Sequence, residues 1–520
     1  MSITIYVPRD SAALALGANK VVEAIEHEIA ARGLDARIVR NGSRGMLWLE
    51  PMVEVETASG RTAYGPVKAK DVPSLFDAGL GLVAHSSHPL ALGNAEEIPF
   101  FAKQTRLTFA RCGLIDPLSL DDYRAHGGLR GLDKALSMSQ PAIVQAVTDS
   151  GLRGRGGAGF PTGIKWKTVL DAQADQKYIV CNADEGDSGT FADRMIMEGD
   201  PFVLIEGMAI AGIAVGATKG YIYIRSEYPE AIKVMSEAVL IARQQRVLGA
   251  HVLGSDYAFD MEVRVGAGAY VCGEETSLLE SLEGKRGQVR AKPPLPAHKG
   301  LFAKPTVINN VISLSSVPII LDKGAAYYKD FGMGRSRGTM PLQIAGNVKH
   351  GGLFEAAFGL TLGEIIDEIG GGTATGLPAK AVQVGGPLGA YFPRALFDTP
   401  FDYEAFAAKD GLIGHAGIVV FDETADMLKQ ARFAMEFCAI ESCSKCTPCR
   451  IGSTRGVETL DRLAQGIEPE RQIEIVKDLC NVMKFGSLCA LGGFTPYPVM
   501  SALTHFPDDF RPGAMREAAE

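Results

Sequence analysis

The chain has 520 residues, 46% hydrophobic and 22% charged, with a formal net charge of −9. At ~150 residues per domain this length predicts three or four domains, and an acidic balance without a basic stripe excludes non-specific nucleic-acid binding. The most apolar stretch, 202–217, contains Glu206 and is shorter than the ~20 residues of a membrane span, so no span is expected. The first residues lack a signal-peptide pattern and the nine cysteines are odd in number, which predicts a cytoplasmic protein with reduced thiols.

Residues 1–110 are expected to form a compact α/β unit. A strand from Ile3 to Pro8 precedes a helix with a buried stripe of Val21, Ile25 and Ile29. Another short strand, a hairpin turning at 58–60 and a helix near 72–78 follow. This β-α-β-β-α order resembles thioredoxin-like domains. A polar stretch at 89–131 that contains Pro and Gly is predicted to link the unit to the rest.

Three further regions follow, which gives an α/β multidomain fold class. Residues 111–340 form a glycine-rich α/β region that holds most of the candidate chemistry. Residues 341–422 contain short strands and a helix in a β-grasp-like order, typical of ubiquitin-like domains. Residues 423–520 have helical periodicity and are predicted to form a helical bundle.

The first glycine-rich loop spans 151–160 and contains G-x-G-x-x-G at Gly154, Gly156 and Gly159. It follows a helical pattern at 141–151 rather than a strand, so a standard dinucleotide fingerprint is not indicated. A backbone without side chains still allows a ring system or pyrophosphate to approach, with Arg153, Arg155 and Lys165 available for phosphate charge. A purely structural turn is the alternative.

Polar residues gather at the end of the predicted strand 178–181. Asn182, Asp184, Glu185 and Asp187 follow it directly, where ligands collect in α/β folds. Carboxylates and amides there accept hydrogen bonds from ribityl or ribose hydroxyls. Taken alone, the stretch also fits a solvated acidic loop.

A second glycine-rich loop, 266–276, opens a helix with Glu274 and Glu275 in its first turn. Downstream lie a proline-bracketed loop at 292–300 and the pair Asn309 and Asn310. Each feature has a plain alternative, since acidic residues compensate a helix dipole and asparagines cap helices or form turns.

Four cysteines near the C-terminus have the spacing of a 4Fe-4S site. Cys443, Cys446 and Cys449 form a C-x-x-C-x-x-C run, and Cys489 lies 489 − 449 = 40 positions downstream. A short turn supplies three thiolates and the chain must return to supply the fourth. A structural zinc site is the alternative, although it usually shows two separated C-x-x-C pairs.

Together, the segments GRGGAGFPTGIKW, CNADEG, GAGAYVCGEET, KPPLPA, INNV, ESCSKCTPCR and LCALGG resemble the flavin- and NADH-binding subunits of respiratory complex I and of soluble NAD-linked dehydrogenases. The resemblance covers about 139–493. It implies FMN in a Rossmann-like domain, a ubiquitin-like domain and a helical bundle that holds one 4Fe-4S cluster near the flavin.

Site residues are carried over by motif match. The resemblance implies FMN contacts at Gly154, Gly156, Lys165, Asn182, Asp184, Glu185, Tyr270, Gly273, Glu274, Asn309 and Asn310. It implies NAD(H) contacts at Gly157, Phe160, Asp187, Glu275 and Lys292. Three positions depart from the complex I pattern: Asp187 replaces Glu, and Leu295 and Thr168 replace aromatic residues. Losing these rings is expected to weaken nucleotide stacking by about 0.5–1.5 kcal/mol per pair.

The N-terminal unit indicates a branch of the family. It resembles the thioredoxin-like 2Fe-2S domain of the partner subunit, but Ser11, Leu16, Ser43 and Leu47 replace the cysteines, so no cluster is expected there. A fused, cluster-free domain is similar to the beta subunits of NAD-dependent, molybdenum-containing formate dehydrogenases. The diaphorase subunits of NAD-reducing hydrogenases and the complex I flavoprotein subunit are the alternatives.

The resemblance implies a reversible diaphorase. Electrons from formate, oxidised on a molybdenum and iron-sulfur alpha subunit, would reach the 4Fe-4S cluster and FMN and reduce NAD+ without a catalytic side chain. The implied partners are that alpha subunit and a 2Fe-2S thioredoxin-like gamma subunit. Two alternatives of another class are a non-catalytic scaffold or electron relay and a zinc-stabilised interaction protein.

Overall fold

The computed structural model describes residues 3–58, 60–81 and 87–511. The predicted α/β class is confirmed, because the described chain combines parallel and mixed sheets with a helical C-terminal region. None of the helices in these ranges is both long and apolar enough to cross a membrane.

The N-terminal unit is a five-stranded mixed sheet in the order β2-β1-β3-β4-β5, with helices packed on it. Its elements are β1 (Ile3–Tyr6), α1 (Ser11–Ala15), α2 (Ala18–Arg32), β2 (Ala36–Val39), β3 (Val53–Thr57), β4 (Gly60–Tyr64), α3 (Val72–Asp77) and β5 (Ala91–Asn94). β1 pairs parallel with β2 and antiparallel with β3. The predicted hairpin is the antiparallel pair of β3 and β4, and Ser59 at its turn lies outside the described residues.

The stretch 89–131 is not the polar linker that the sequence suggested. It contains β5 and two short helices, α4 (Pro99–Ala102) and α5 (Leu120–Ala125). Phe109 and Tyr123 are fully buried in the core of the next region. The prediction was wrong because many apolar residues scattered through this stretch are buried, whereas its average composition is polar.

The second region is built on a four-stranded parallel sheet in the order β8-β7-β6-β9. Its elements are α6 (Arg130–Leu136), α7 (Gln140–Asp149), α8 (Thr162–Asp171), β6 (Tyr178–Ala183), α9 (Ala192–Gly199), α10 (Pro201–Val215), β7 (Lys219–Ile224), α11 (Pro229–Gln244), β8 (Asp260–Val265), α12 (Glu275–Leu282), α13 (Pro296–Lys299), β9 (Thr306–Asn310), α14 (Val311–Ser315), α15 (Val317–Lys323) and α16 (Ala325–Lys329). The register of β6 and β9 places Asn182 opposite Asn310, so the ends of these central strands meet. This is the edge at which parallel sheets place ligand sites.

A short ribbon of β10 (Gly332–Met333) and β11 (Ser336–Arg337) leads to a third sheet in the order β13-β12-β16-β14-β15. The sheet contains β12 (Thr339–Gly346), β13 (Gly352–Ala357), β14 (Ala379–Val384), β15 (Tyr391–Pro393) and β16 (Gly417–Asp422), with α17 (Tyr403–Ala407) before its last strand. The helix predicted between the strands is a π-helical segment at Glu364–Ile369.

The C-terminal region is helical, as its periodicity predicted. It consists of α18 (Met427–Glu441), α19 (Thr447–Ala464), α20 (Pro469–Gly486), α21 (Ala490–Phe494) and α22 (Pro496–His505). Their apolar faces share one core with residues of the second region, including Val271 and Leu278. The helices that carry the cysteines are therefore packed directly on the loops that follow β8.

Candidate functional site

Two adjoining cavities open where β6 and β9 end. Their volumes are about 440 and 420 Å³, within the range of small-molecule and cofactor sites. Both are lined by Gly156, Ala158, Asn182, Gly273 and Asn310, which makes them two lobes of one binding region.

The structure brings all of the predicted cofactor residues to this region. The first lobe is lined by Gly154, Gly156, Phe160, Lys165, Asn182, Gly273, Glu275, Lys292, Asn309 and Asn310. The second lobe is lined by Gly156, Gly157, Asn182, Asp184, Glu185, Asp187, Tyr270, Gly273, Glu274 and Asn310. Residues from five separate stretches of sequence therefore converge on one space.

Bare backbone forms one wall of the binding region. A Cβ atom placed on Gly156 would lie 2.9 Å from the Cβ of Asn310, and Gly157 has φ of +125°, which an L side chain rarely adopts. The loop closes on itself through the Gly154 N–H, which donates to the Phe160 carbonyl at 2.8 Å. Glycine is therefore required here by close packing and by backbone conformation.

The two arginines of this loop do not face the cavity, contrary to the sequence-based expectation. Arg155 is fully buried and donates to the Tyr328 hydroxyl at 2.9 Å and to the Arg337 carbonyl at 2.6 Å. Arg153 pairs with Glu404 at 2.7 Å. Both guanidinium groups hold the loop from behind, because buried donors must find partners within the protein.

Lysines supply the positive charge at the cavity instead. Lys165 lines the first lobe and donates to the Ile308 carbonyl at 2.7 Å, and burial lowers its pKa. Lys292 pairs with Glu274 at 2.9 Å and with Glu275 at 2.7 Å. Burial lowers the pKa of Lys292, but these two carboxylates outweigh it and the net pKa is raised.

Of the acidic residues after β6, Asp184 and Glu185 are buried and Asp187 is half-buried. Burial raises the pKa of Asp184 to about 7. Asp187 accepts a hydrogen bond from the Tyr270 hydroxyl at 2.7 Å, and burial raises its pKa as well. Asn182 donates to the Gly273 carbonyl at 2.8 Å, which ties this strand end to the second glycine-rich loop.

The plain structural roles considered for two of these residues are also present. Glu274 caps α12 by accepting from the N–H groups of Thr276 and Ser277. Asn310 caps α14 through its Oδ1, which accepts from the Ile312 N–H at 2.9 Å. Capping holds both side chains in place beside the cavity.

Sequence reasoning missed His415 and Asp193. His415 lies just before β16, and its Nε2 is 3.2 Å from Glu185 and 3.1 Å from Asp193. All three side chains are buried, and Asp193 also accepts from Asn310 at 2.6 Å. A single histidine more than two hundred residues away gives no local signal of this contact, which only the packing of the third sheet creates.

The four predicted cluster cysteines lie together in the C-terminal core. Cys443 follows α18, Cys446 immediately precedes α19, Cys449 is in its first turn and Cys489 immediately precedes α21. A Cβ atom on Gly492 would lie 2.7 Å from the Cβ of Cys449, so the helix that Cys489 precedes packs directly against Cys449.

The arrangement of these cysteines favours an iron-sulfur cluster over zinc. Zn–S bonds of about 2.3 Å in a tetrahedral site hold four sulfurs within about 4 Å of one another. In the described ranges, only Glu185, Asp193 and His415 bring three ligand atoms within 4.8 Å of one another. No three cysteine sulfurs in these ranges lie that close together. Three cysteines in a short run and a fourth from a distant turn are the ligand pattern of a 4Fe-4S cluster.

Two further residues beside the cysteines were not singled out from the sequence. The Cys438 Sγ is fully buried and lies 3.7 Å from the Cys449 Sγ, while the Ser442 Oγ lies 3.3 Å from the same sulfur. Cys438 lies on α18 and Ser442 directly follows it. The sequence indicates their proximity to Cys449 only through their helical spacing from the cysteine run.

Hydrogen bonds tie the chain around the cysteine run to the loops of the second region. The Tyr270 N–H donates to Glu441 at 3.0 Å, and Lys445 donates to the Val289 carbonyl at 2.6 Å. The second lobe is lined in part by Ala490 and Leu491, which follow Cys489. A ring bound in this lobe would thus lie beside the chain that carries a cluster ligand.

Comparison with known protein families identifies two regions. Residues 147–319 match the model of the Nuo51 FMN-binding domain. Residues 429–513 match the model of the NADH-ubiquinone oxidoreductase-F iron-sulfur binding region. These ranges contain the glycine-rich loops and all four cysteines.

Characterised relatives cover most of the chain. The NADP-reducing hydrogenase protein HndC of Solidesulfovibrio fructosivorans is 47% identical over 408 residues, covering 78% of this chain and 83% of that protein. An NADH-quinone oxidoreductase subunit of Escherichia coli (strain K12) is 40% identical over 400 residues, covering 76% of this chain and 90% of that protein. A crystal structure of NAD+-reducing [NiFe]-hydrogenase in the H2-reduced state matches with a TM-score of 0.69 and 28% identity, over 99% of this chain and 85% of that one.

The residues present fit the cofactors that these relatives imply. Close-packed glycine backbone, a lysine and buried hydrogen-bonding groups surround a space of cofactor size, and the four cysteines lie in one core beside it. FMN, a 4Fe-4S cluster and NAD(H) are the cofactors of this chain. The chain belongs to the family of NADH-binding flavoprotein subunits that includes HndC and its NADH-quinone oxidoreductase counterpart in Escherichia coli.

Proposed function

We propose that this chain is the diaphorase subunit of an NAD-dependent formate dehydrogenase and reversibly reduces NAD+ with electrons released from formate on another subunit. The observation that carries the diaphorase role is the binding region whose second lobe reaches from the glycine-rich loops to the residues after Cys489. When bound, FMN accepts electrons singly and gives up a hydride, so it joins one-electron to two-electron carriers.

The predicted site residues are assigned roles on this basis. The FMN contacts are Gly154, Gly156, Lys165, Asn182, Asp184, Glu185, Tyr270, Gly273, Glu274, Asn309 and Asn310. The NAD(H) contacts are Gly157, Phe160, Asp187, Glu275 and Lys292. The cluster ligands are Cys443, Cys446, Cys449 and Cys489. Convergence of the first two sets on one binding region supports the assignment.

The chain's side chains bind and orient rather than react. Lys165 places a positive charge at the first lobe, where it stabilises anionic groups of a bound nucleotide. Tyr270 fixes Asp187 by a hydrogen bond at 2.7 Å, which directs the remaining carboxylate oxygen for a ribose hydroxyl. The acidic residues around both lobes favour NAD over NADP, because they repel a 2′-phosphate.

The formate branch is supported by the N-terminal unit. Ser11 donates to Glu198 at 2.5 Å and Ser43 donates to Glu50 at 2.6 Å, so both hydroxyls are committed to buried carboxylates. With Leu16 and Leu47 at the other two positions, no thiolate replaces them. We propose a thioredoxin-like fold without a cluster for 1–110, FMN and NAD binding for 111–340, a ubiquitin-like fold for 341–422 and the cluster-bearing bundle for 423–520.

A hydrogenase diaphorase is the second candidate. It is favoured by one observation, that the NAD+-reducing [NiFe]-hydrogenase chain aligns over 99% of this chain, including the N-terminal unit. The NADH-quinone oxidoreductase relative at 40% identity aligns over about three quarters of it.

The decisive experiment isolates the native complex and compares NAD+ reduction driven by formate with that driven by hydrogen. Formate-driven NADH production together with molybdenum in the complex supports the proposal, and activity with hydrogen alone overturns it. The partners expected in that complex are a molybdenum and iron-sulfur alpha subunit and a 2Fe-2S gamma subunit. All nine cysteines are free, which supports the reducing cytoplasm as its location.

Cofactor content and activity of the isolated chain distinguish a non-catalytic scaffold from a diaphorase. The purified protein is expected to contain FMN and iron and to reduce an artificial dye with NADH. A colourless protein without dye reduction indicates the scaffold, and zinc in place of iron indicates the interaction protein.

A further inference from the structure

Behind the second lobe, His415 makes contacts with three stretches of chain that form the binding region. It reaches them from the third sheet, just before β16. Its Nδ1 lies 2.8 Å from the carbonyl of Arg155 in the first glycine-rich loop. Its Nε2 lies 3.2 Å from Glu185 after β6 and 3.1 Å from Asp193 in α9.

The partners determine the protonation of the imidazole ring. A backbone carbonyl only accepts, so the Arg155 contact requires a proton on Nδ1. The Nε2 faces two carboxylates, which favour a second proton. Burial lowers the pKa of His415, but Asp193 and Glu185 outweigh it and the net pKa is raised well above 6.5. The ring is therefore an imidazolium at neutral pH, with a donor on each side.

The carboxylates that His415 contacts are themselves held by the site. Both Glu185 oxygens accept backbone N–H groups, from Asp193 at 2.9 Å and Arg194 at 3.0 Å. Glu185 has φ of +34°, a conformation that non-glycine residues adopt only when surrounding contacts fix it. Asp193 also accepts from Asn310 at 2.6 Å, and Asn310 lines both lobes.

We infer that His415 is the positioning residue of the flavin site, a charged clamp that fixes the first glycine-rich loop and the loop after β6 against each other. The inference rests on the proposed function, because it assigns FMN to this binding region. His415 touches Glu185, Asp193 and a loop carbonyl rather than a reacting atom. Without the hydrogen bonds that His415 donates, two buried carboxylates repel each other and the two loops are no longer held in fixed positions.

Other charged and titratable groups surround this clamp. Beyond Glu185 and Asp193, the groups are Asp187, Arg155, Arg194, Arg225 and Tyr228. Two of these arginines meet the clamp through backbone groups, since Arg225 donates to the Glu185 carbonyl and Arg155 offers its own carbonyl to His415. The imidazolium is thus the cation that contacts both carboxylates.

The test replaces His415 in the full chain and measures FMN binding to protein loaded with its cluster. The amide of His415→Gln is neutral and cannot compensate the two carboxylates. Because hydrogen bonds to charged groups contribute ~1.5–3 kcal/mol, FMN affinity is expected to fall by about tenfold or more. The matched control is His251→Gln, an exposed histidine in a distant loop, whose FMN affinity should equal that of the unchanged chain.

The pH dependence distinguishes a charged clamp from simple packing. A raised folded pKa means that the stabilisation is complete below pH 6.5 and is lost as pH rises through the folded pKa. FMN affinity of the unchanged chain is therefore expected to weaken more steeply in the alkaline range than that of His415→Gln, because both chains lose the charge of Lys165 there but only the unchanged chain also loses that of His415. Fluorescence titration of FMN from about pH 6.5 to 10 measures both.

Each outcome decides one question. If the unchanged chain binds no FMN, the proposed function fails. If it binds FMN but His415→Gln binds equally well with the same pH profile, the clamp inference is overturned. A stoichiometric divalent metal at Glu185, Asp193 and His415, measured with the cluster iron accounted for, overturns it too. Should His415→Gln not fold, Asp193→Asn is measured instead, because it removes one of the two carboxylates that raise the pKa of His415 and should move the loss of FMN affinity to lower pH.

Discussion

Replacing Leu295 with phenylalanine is expected to tighten NADH binding. Leu295 lines the first lobe and is 50% exposed, as is Phe160 in the same lobe. Its backbone is extended at φ −76° and ψ 152°, just before α13, so a larger side chain fits there without strain. An aromatic ring at this edge would restore a stacking partner for the nucleotide base.

The expected size of the effect follows from stacking energies. A stacked pair contributes about 0.5–1.5 kcal/mol beyond its area, which is about twofold to twelvefold in a dissociation constant. Ground and transition states gain equally, so KM for NADH should fall while kcat stays unchanged. Steady-state dye reduction with NADH measures both constants, and fluorescence titration gives the dissociation constant directly.

Leu240→Phe is the matched control. Leu240 is 54% exposed on α11, away from the binding region, so the same change there alters exposed apolar area without a ligand nearby. An unchanged NADH dissociation constant in Leu295→Phe, or an equal decrease in Leu240→Phe, would refute the idea that position 295 faces the nucleotide base.

Three further predictions test the surroundings of the site. Cys438→Ala should lower the midpoint potential of the cluster, because it removes an S–H donor 3.7 Å from the Cys449 sulfur. An EPR-monitored redox titration measures the potential. The control Cys438→Ser keeps a donor and should retain most of the wild-type potential. Arg155→Met should lower Tm in calorimetry, because it leaves the Tyr328 hydroxyl and a buried carbonyl without their donor at about 1–3 kcal/mol for each. The preference for FMN over riboflavin should survive that change, and its loss would mean that the guanidinium does bind phosphate. Asp184→Asn should remove a pH dependence of Tm. Burial raises the pKa of Asp184 to about 7, so the folded state binds the proton more tightly than the unfolded state and loses this stabilisation as pH rises from about 4 through 7, whereas an amide has no such proton. Identical Tm profiles of the two proteins between about pH 5 and 8 would contradict this.

Much of the fold could be predicted from local patterns. The alternation in 53–64 predicted the hairpin, and the helical spacing before the first glycine-rich loop predicted α7. The stretch 89–131 could not be predicted, because its polar composition hides residues such as Phe109 and Tyr123 that are buried by packing against distant helices. Composition averages over a segment, whereas burial is decided residue by residue.

The residues of the site likewise fall into those that local motifs predict and those that only distant packing determines. Glycines, carboxylates and lysines in compact motifs were predicted to meet, and they line one binding region. The direction of Arg153 and Arg155 could not be predicted, since a guanidinium beside a glycine loop fits either a ligand or a carbonyl behind the loop. His415 could not be found either, because its contact depends on the third sheet packing against the second.

Hydrogen bonds explain why charged residues lie behind the glycine-rich loops that line the cavity. A loop that must leave space for a ring has few apolar side chains of its own, so packing alone cannot fix it. Arg155, Arg153 and His415 hold the first loop by hydrogen bonds from its far side. The Tyr270 N–H holds the second loop to Glu441, two residues before Cys443. Rigidity is therefore supplied from outside the cavity, and the bond from Tyr270 also ties the second loop to the segment that precedes the cysteine run.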